Sequence, residues 1–187
     1  LQAWYPGQAG GQAVAEVLFG DYNPSGRLPV TFYKNVNQLP DFEDYNMTGR
    51  TYRYFKGEPL FPFGHGLSYT SFEYGQIKLS SAKIRGGKLT VKVPVTNAGA
   101  VAGSEVVQVY VGEVNPSVPR PVKELKAFKK AHLAAGESQV LNFRLDYEAF
   151  AFYDVESHDW KVNTGQFNVY VGASAGDVRL NEFVNIR

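Results

Sequence analysis

The residues best suited to acid–base chemistry stand together in the stretch DFEDY, where Asp41, Glu43 and Asp44 lie within four positions. Catalysis by a pair of carboxyl groups needs them on opposite sides of a cleft, and such pairs normally come from separate elements of a fold. Three carboxylates in one short loop are more typical of a solvated surface. We therefore interpret DFEDY as a loop and assign it no catalytic role.

Polar residues after this loop suggest contacts rather than catalysis. Arg50 and Arg53 in GRTYRYF are placed to pair with carboxylates across a domain boundary, and contact with a sugar is the second interpretation. Asn46-Met47-Thr48 fits the acceptor pattern for N-glycosylation. Neither observation assigns a substrate-binding residue.

Nucleophile and metal signals are weak. Ser68 in GLSYT lacks the second glycine of a nucleophile elbow, because Thr70 stands there, and we expect a structural serine. His65, His132 and His158 are scattered without metal-ligand spacing, and we expect His65 to be a hydrogen-bonded residue of a connecting segment. The chain has no cysteine. The sequence thus predicts no metal site and no cofactor.

Composition restricts the class of protein. The chain has 187 residues, of which 44% are hydrophobic, and its net charge is +1. That balance shows no basic surface for nucleic acid or for an anionic membrane, and no apolar run is long enough to span a bilayer. GQAGG at 7–11 lacks the spacing of a phosphate-binding loop, so we expect its glycines to allow a tight turn into a helix. Because the chain opens with Leu1 and no signal segment, we expect a piece of a longer protein.

The elements that position these residues change along the chain. In 1–34, GGQAVAEVLFG places Val14, Val17 and Leu18 on one helical face and ends with Gly20 at a left-handed position. The pattern predicts that RLPVTFY is a short strand and that LQAW ends another. One strand–helix–strand unit does not close a layer, so 1–34 is predicted to be the C-terminal tail of an α/β domain.

From residue 71 to 187 the hydrophobic period becomes two, and turn signals separate the runs. SEVVQVYVG is apolar on both faces, as in a central strand. Six to eight such strands predict an antiparallel β-sandwich, and the chain as a whole is predicted to be mainly β. The residues expected on the inward faces are Leu89, Val91, Val93, Val95, Leu141, Phe143, Leu145, Phe167, Val169 and Val171.

VKELKAFKKAHL is ambiguous between a helix and a strand. We interpret it as an irregular strand whose lysines protect the edge of a sheet, with a basic binding patch as the alternative. These lysines are Lys123, Lys126, Lys129 and Lys130.

Residues 35–70 form a connector with little regularity, too aromatic for a flexible linker. Its rings, among them Phe55, Phe61, Phe63 and Tyr69, need a surface against which to pack. The stretch FPFGHGLSYTSFEY, residues 61–74, is called the joint below. Its aromatic residues and glycines follow neither a helical nor a strand period.

Three motifs in order resemble glycoside hydrolase family 3, the β-glucosidases and β-xylosidases. They are PGQAGGQAVAEVLFGDYNPSGRLPVTF, GRTYRYF and PLFPFGHGLSYTSFEY. LKAFKKAHLAAGES and YVGASAGDVRL resemble the fibronectin type III-like module that ends many members. The resemblance covers essentially the whole chain, and GRTYRYF is similar to the β-xylosidase branch.

The resemblance implies an order of domains: a barrel, an α/β sandwich domain, a connector and the β-sandwich module. On this interpretation the joint lies where the chain leaves the α/β domain and enters the first strand of the module. Its rings are then buried between domains, and its glycines let the backbone turn sharply.

The resemblance also implies that catalytic residues lie elsewhere. Family members take their aspartate nucleophile from the barrel and, in most, their acid/base glutamate from the α/β domain before the Pro-Gly-Gln segment. The Asp159-Trp160 pair lies in a predicted hairpin and follows His158, so it does not match the nucleophile motif. No catalytic residue is carried over, and the chain alone is expected to be inactive.

The function expected from the resemblance is that of the C-terminal part of a retaining, exo-acting β-glycosidase. The parent would release glucose or xylose from the non-reducing ends of plant-type oligosaccharides, in the periplasm or outside the cell. The partners expected are the barrel and α/β domains of the same enzyme. The alternative is a non-catalytic carbohydrate-binding or protein-interaction module with an exposed aromatic row, for which Tyr110 and Tyr170 are candidates unless they belong to the core.

Overall fold

Eleven β-strands between residues 72 and 186 build the body of the computed structural model, which describes residues 1–187. In chain order they are β1 (Phe72–Tyr74), β2 (Lys78–Leu79), β3 (Lys83–Ile84), β4 (Lys88–Asn97), β5 (Gly103–Glu113), β6 (Glu124–Leu133), β7 (Ser138–Asp146), β8 (Phe152–Asp154), β9 (Asp159–Lys161), β10 (Gly165–Gly172) and β11 (Val178–Ile186).

The strands form two sheets and a separate hairpin. In one sheet β4 pairs with β1, β2 and β7, and in the other the order is β3-β11-β10-β5-β6. Strands β8 and β9 pair only with each other. All pairs are antiparallel except β3 with β11, which run parallel. The predicted mainly β sandwich is confirmed, with more strands than expected and with one parallel pair at a sheet edge.

The core lies between the two sheets. Every residue that the alternation predicted to face inward is buried, with exposed fractions from 0% to 4%. Removing each such side chain from water stabilises the fold by about 1.5–3 kcal/mol. Strand β5 lies between β10 and β6 and is buried along most of both faces, as its double-sided apolar pattern predicted.

Strand β6 forms one edge of the five-stranded sheet, and its register against β5 shifts between Val109 and Tyr110. The expectation of an irregular edge strand is therefore correct. Lys129 and Lys130 are exposed along this edge. Lys123 and Lys126 are half-buried, and burial lowers the pKa of Lys123. Only part of the predicted lysine row can therefore protect the edge.

The N-terminal segment, residues 1–34, contains one helix of ten residues, α1 (Gly10–Phe19). It ends at Gly20, whose φ of 88° is the predicted left-handed conformation. No residue of α1 is buried, and Leu18, predicted to lie on a covered face, is 65% exposed. The apolar side chains of α1 therefore have no covering layer within this chain. A helix of ten residues is marginal alone in water, so α1 needs such a layer. None of the helices is long and apolar enough to cross a membrane.

The predicted strand RLPVTFY is wrong, and so is the strand predicted for LQAW. Residues 28–32 run beside residues 60–65, but the ladder is limited to a single antiparallel bridge between Phe32 and Phe61. Pro29 contributes no N–H group, and no neighbouring strand lies on the other side. The connector contains a 3-10 helix (Val36–Gln38) and a one-turn helix, α2 (Thr51–Tyr54).

Candidate functional site

The glycines of the joint stand where no side chain fits. Gly64 has φ 81°, and a Cβ there would lie 2.2 Å from Oε1 of Gln108. A Cβ on Gly66 would lie 2.1 Å from the carbonyl oxygen of Gly26. The backbone of the joint therefore contacts β5 on one side and the N-terminal segment on the other. This is the close approach that its glycine content requires.

A column of three aromatic rings fixes the joint to the sandwich. Phe63 stacks on Tyr52, with ring centroids 4.4 Å apart, and Tyr52 meets Tyr110 of β5 edge-on at 6.0 Å. The hydroxyl of Tyr52 also accepts a hydrogen bond of 2.9 Å from the backbone N–H of Leu125. That N–H lies beside the register shift of β6. Tyr52 of α2 thus packs its ring on β5 and provides the hydrogen-bond acceptor for a backbone N–H of the irregular edge strand β6.

Gln108 is the buried polar centre of this contact. Its Nε2 donates to the carbonyl oxygens of Gly64 (3.2 Å) and Ala173 (2.5 Å). Its Oε1 accepts from the hydroxyl of Tyr110 at 2.6 Å. Burial, and secondarily the neighbouring Tyr52, raises the pKa of Tyr110. One amide side chain therefore connects the joint with β5 and with the turn after β10.

A buried ion pair connects the N-terminal segment with the sandwich. Nη2 of Arg27 lies 3.2 Å from a carboxylate oxygen of Glu105, and the two side chains are 10% and 4% exposed. The other carboxylate oxygen accepts from the hydroxyl of Tyr74 at 3.1 Å. Burial, followed by the charge of Glu105, raises the pKa of Tyr74. The guanidinium of Arg179 lies over the Tyr74 ring at 4.6 Å, which closes the cluster.

Asn23 makes a second polar connection between the same parts. Its Oδ1 accepts from the hydroxyl of Ser68 (2.9 Å) and the N–H of Tyr69 (2.8 Å). Its Nδ2 donates to the carbonyl oxygen of Ala102, at 2.8 Å. Asn23 therefore links the N-terminal segment, the joint and the turn between β4 and β5. The hydroxyl of Ser68 takes part in this contact, as expected of a structural serine.

The two arginines of GRTYRYF have different partners. Arg53 pairs with Glu124 of β6 at 3.8 Å, so the predicted pairing with a carboxylate is correct for Arg53. Arg50 instead donates to the backbone carbonyl oxygens of Asn46, Asp41 and Asp44. The prediction of carboxylate pairing is therefore wrong for Arg50. Its five N–H groups suit a loop whose carbonyl groups converge on one point.

The histidines are not brought together. The ring of His65 stacks on Phe61 at 5.0 Å, and its backbone carbonyl accepts from the N–H of Leu28. Nδ1 of His132 lies 3.1 Å from the hydroxyl of Ser104, and His158 occupies the exposed β8–β9 turn with φ 54°. No cluster of three or more His, Asp or Glu side chains is arranged to hold a metal ion.

The acidic stretch DFEDY lies in an exposed loop. Asp44 accepts hydrogen bonds from the N–H and the side-chain amide of Asn46, and these bonds lower the pKa of its carboxyl group. Asp41 and Asp44 line an open cavity of about 630 Å³, whereas Glu43 faces solvent. No second acidic element faces this loop across the cavity, because the remaining lining residues are Val36, Leu39, Pro40, Phe42, Tyr45 and Arg50.

The remaining candidates are structural or exposed. Asp159 and Trp160 lie in the β8–β9 hairpin, as predicted, and Trp160 is 66% exposed. Tyr110 is fully buried and its partner in the ladder, Tyr170, is half-buried, so they form no exposed aromatic row. Gly10 of the GQAGG run lies in the first turn of α1, where its N–H donates to the carbonyl of Gly7.

Sequence reasoning missed the buried polar residues Glu105, Gln108 and Asn97. The signal was available for the first two, because both are polar residues inside the most apolar strand of the chain. Asn97 is fully buried at the end of β4, where its side chain contacts Thr70, Val101 and Leu133. Buried polar groups are almost always hydrogen-bonded. Polar residues within a strand that is otherwise apolar therefore indicate contacts between segments.

Comparisons with known proteins identify two family models that match separate parts of the chain. The family model described as "Glycosyl hydrolase family 3 C-terminal domain" matches residues 1–69, and that described as "Fibronectin type III-like domain" matches 105–175. A xylan 1,4-β-xylosidase of Xylanibacter ruminicola is 48% identical over 97% of this chain. A periplasmic β-glucosidase of Salmonella typhimurium is 42% identical over 98% of it.

Solved structures give the same result. A β-D-glucoside glucohydrolase from Trichoderma reesei superposes with a TM-score of 0.88 at 30% identity, over 97% of this chain. The β-glucosidase DesR from Streptomyces venezuelae does so with a TM-score of 0.87 at 37% identity, over 98%. The chain spans 21% and 26% of the two curated relatives, and 29% and 26% of these two structures.

Proposed function

The chain belongs to glycoside hydrolase family 3, of which it is a C-terminal portion with a fibronectin type III-like domain, and we propose that the whole protein is a retaining, exo-acting β-glucosidase or β-xylosidase. Its substrates are plant-type oligosaccharides, cleaved at their non-reducing ends through a glycosyl-enzyme intermediate. One relative carries the name of a xylosidase and another that of a glucosidase, which supports this substrate class.

Within that enzyme, this portion has a structural and domain-docking role and supplies no catalytic carboxylate. The buried carboxylates support the proposal because arginines already neutralise them. Glu105 pairs with Arg27, while Glu113 and Glu124 both pair with Arg120. A retaining glycosidase needs two carboxyl groups about 5 Å apart that are free to act on the sugar. Side chains held in buried ion pairs do not meet that need.

The division of the chain belongs to the same proposal: 1–34 as the tail of an α/β domain, 35–70 as a connector, and 71–187 as the sandwich module. The remaining partners are the barrel and the rest of the α/β domain. The location is the periplasm or the cell exterior, and the name of the Salmonella relative supports it.

The observation that carries the structural role is the set of hydrogen bonds that connect the joint and the N-terminal segment with β5 and the turn before it. Gln108 of β5 donates a hydrogen bond to the joint, and Glu105 of β5 accepts one from the N-terminal segment. Asn23 of the N-terminal segment donates to the turn before β5. Contacts from both sides support a sandwich that is fixed to the preceding domain and not flexibly tethered to it.

Reconstitution with aryl glycosides tests the proposed function. The purified chain of 187 residues should release no product from aryl β-glucosides or β-xylosides between about pH 4 and pH 8, because neither member of the catalytic pair is present. Adding the preceding part of the same polypeptide, in trans or by fusion, should restore turnover. Turnover by the chain alone would overturn the structural role, and an inactive fusion would overturn the proposed activity.

A further inference from the structure

Residues 36–50, called the docking loop below, expose more large apolar surface than a loop of a soluble domain needs. Phe42 is 96% exposed, Tyr45 is 90% exposed and Val36 is 74% exposed. Single exposed apolar residues are ordinary, but a group of them in one segment marks an interaction surface. Two aromatic side chains can each bury about 150–250 Å² on contact.

The loop is held in shape although its rings are not covered. Arg50 donates to three backbone carbonyl groups, those of Asn46, Asp41 and Asp44. The Asp44 side chain fixes the turn by accepting from Asn46, and the N–H of Asp44 donates to the carbonyl of Asp41. A surface held in place before binding loses less conformational entropy when it binds. The hydrogen bonds therefore present Phe42 and Tyr45 outward instead of folding them inward.

The shape beside the rings is concave. Phe42 and Tyr45 border the cavity of about 630 Å³, and Val36 and Leu39 line both this cavity and a neighbouring one of about 440 Å³. Exposed rings beside a cavity suit an interdigitating contact, in which the rings enter a pocket of the partner and a side chain of the partner fills the cavity. Well-packed interfaces show this shape complementarity.

The charge of the loop is unbalanced. Neither Asp41 nor Glu43 takes part in any ion pair of the chain. The two cations nearest in sequence are engaged elsewhere, because Lys34 pairs with Glu58 and Arg50 is directed at backbone carbonyls. The uncompensated carboxylates favour a partner with positive charge around an apolar centre, because an unpaired carboxylate at an interface is unfavourable.

We propose that the docking loop binds the preceding part of the same polypeptide, through a surface with an apolar pocket for Phe42 and Tyr45 and basic residues facing Asp41 and Glu43. This chain corresponds to only 21% and 26% of two curated relatives, so most of such a protein lies outside it. The family match over 1–69 also groups this loop with the N-terminal segment and not with the sandwich. The inference rests on the proposed function only in assuming those further domains.

Hydroxyl-radical footprinting of the full-length enzyme tests the contact. Within this chain Phe42 and Tyr45 are 96% and 90% exposed, so any strong protection must come from residues outside it. We expect both rings to oxidise at least tenfold more slowly in the native enzyme than in the enzyme unfolded in urea. Tyr110, buried within the chain, should be protected in the native enzyme whether or not the docking loop is covered, and should lose that protection in urea, so it serves as the control for folding.

Three results would overturn the proposal. Unprotected rings would mean that the loop faces solvent. Protection that grows with enzyme concentration would mean that a second copy covers it, and protection that requires added glucose or xylose would mean that a sugar does. Failure of the proposed activity would instead appear as absent turnover of aryl glycosides, which the footprint does not measure.

Reversing the charges of Asp41 and Glu43 tests whether the partner surface is basic. The double variant Asp41→Lys/Glu43→Lys should raise the oxidation rate of Phe42 at least threefold in the native enzyme. The matched control is Glu156→Lys, in the exposed β8–β9 turn, which should leave that rate unchanged. Equal rates in both variants, with Tyr110 still protected, would overturn the basic character assigned to the partner.

Discussion

The ring of Phe63 stacks on the ring of Tyr52, with centroids 4.4 Å apart and planes 20° from parallel. The two residues come from separate parts of the connector, and behind Tyr52 lies Tyr110 of the sandwich. The stack therefore joins the connector to itself and to β5 at one point. It explains why the joint combines aromatic residues with glycines: the rings need a surface, and the backbone must come close to that surface.

Phe63→Ser should remove most of this contact. Phe63 is only partly buried, so we expect a loss of about 2–3 kcal/mol, below the range for a fully buried phenylalanine. The strands should survive because their core does not include Phe63. Limited proteolysis of the full-length variant should show new cleavage between residues 45 and 75. An unchanged cleavage pattern would refute the role given to the ring.

Tyr52→Phe separates the stack from the hydrogen bond. The variant keeps the ring but leaves the N–H of Leu125 without its acceptor, which should lower the free energy of unfolding by about 1 kcal/mol. The Leu125 amide should also exchange faster with solvent. Tyr54→Phe is the matched control, because it removes a hydroxyl from the same helix and leaves the acceptor of the Leu125 N–H in place. Equal exchange of Leu125 in both variants would contradict the assignment.

The sandwich was predictable from the sequence because its core follows a local rule. Leu89, Val91, Val93 and Val95 occupy every second position of β4, and this period alone decides which side of a strand faces the core. RLPVTFY resembles such a strand locally, yet a strand exists only where a neighbour completes its hydrogen bonds. That neighbour is not determined by the seven residues themselves, and the prediction failed for this reason.

Arg27→Met should destabilise the contact between the N-terminal segment and the sandwich. It would leave the carboxylate of Glu105 buried without a counter-charge, a change that typically costs about 3–5 kcal/mol. The double variant Arg27→Met/Glu105→Gln should recover much of that loss, because the neutral amide still accepts from Tyr74. Urea unfolding measures both.

The control for that variant is Lys88→Met. Lys88 pairs with Asp146 at 3.2 Å, but both side chains are about half exposed. Removing the charge there should change the free energy of unfolding by less than about 1 kcal/mol. If Arg27→Met cost no more than this, the buried pair would not be a structural link.

The contacts of the joint were less predictable than the core. Asn23 and Gln108 are 85 positions apart, and nothing in the spacing of polar residues indicates that both approach Gly64 and Ser68. The glycines and rings did indicate that the joint must be packed closely. They did not indicate what it packs against, because that surface is formed by distant parts of the chain.

The β8–β9 hairpin should depend on pH. Asp154 accepts hydrogen bonds from Lys161 and Ser157, and these lower the pKa of its carboxyl group to about 2. A carboxyl group with a lowered pKa adds stability above its unfolded pKa of about 4, and that stability is lost as pH falls through the folded value. The hairpin should therefore loosen between about pH 4 and pH 2.

An NMR titration of the Asp154 carboxyl carbon measures this directly. Lys161→Met should move its pKa upward, towards the ordinary value for an aspartate, because the lysine is the largest cause of the shift. Lys129→Met, an exposed lysine on β6, is the control and should leave the titration unchanged. An unaltered pKa in Lys161→Met would show that the ion pair is absent in solution.

Gly64→Ala should destabilise the joint through two separate effects. The residue has a φ of 81°, which costs an L-residue about 1–2 kcal/mol, and its Cβ would lie 2.2 Å from Oε1 of Gln108. Gln108 is held by Gly64, Ala173 and Tyr110, so it does not move away without losing hydrogen bonds. Overpacking of this kind adds about 1–3 kcal/mol.

Two comparisons separate the strain of Gly64→Ala from the overlap. Gly86 has a φ of 67° with nothing within 4 Å of its Cβ position, so Gly86→Ala should show the backbone strain alone, about 1–2 kcal/mol. In the background of Gln108→Ala, where the obstructing amide is absent, Gly64→Ala should cost no more than Gly86→Ala. The resulting coupling between positions 64 and 108 would exceed about 1 kcal/mol, as expected for residues in direct contact. Equal effects of Gly64→Ala in both backgrounds would mean that the joint does not approach β5 as closely as described.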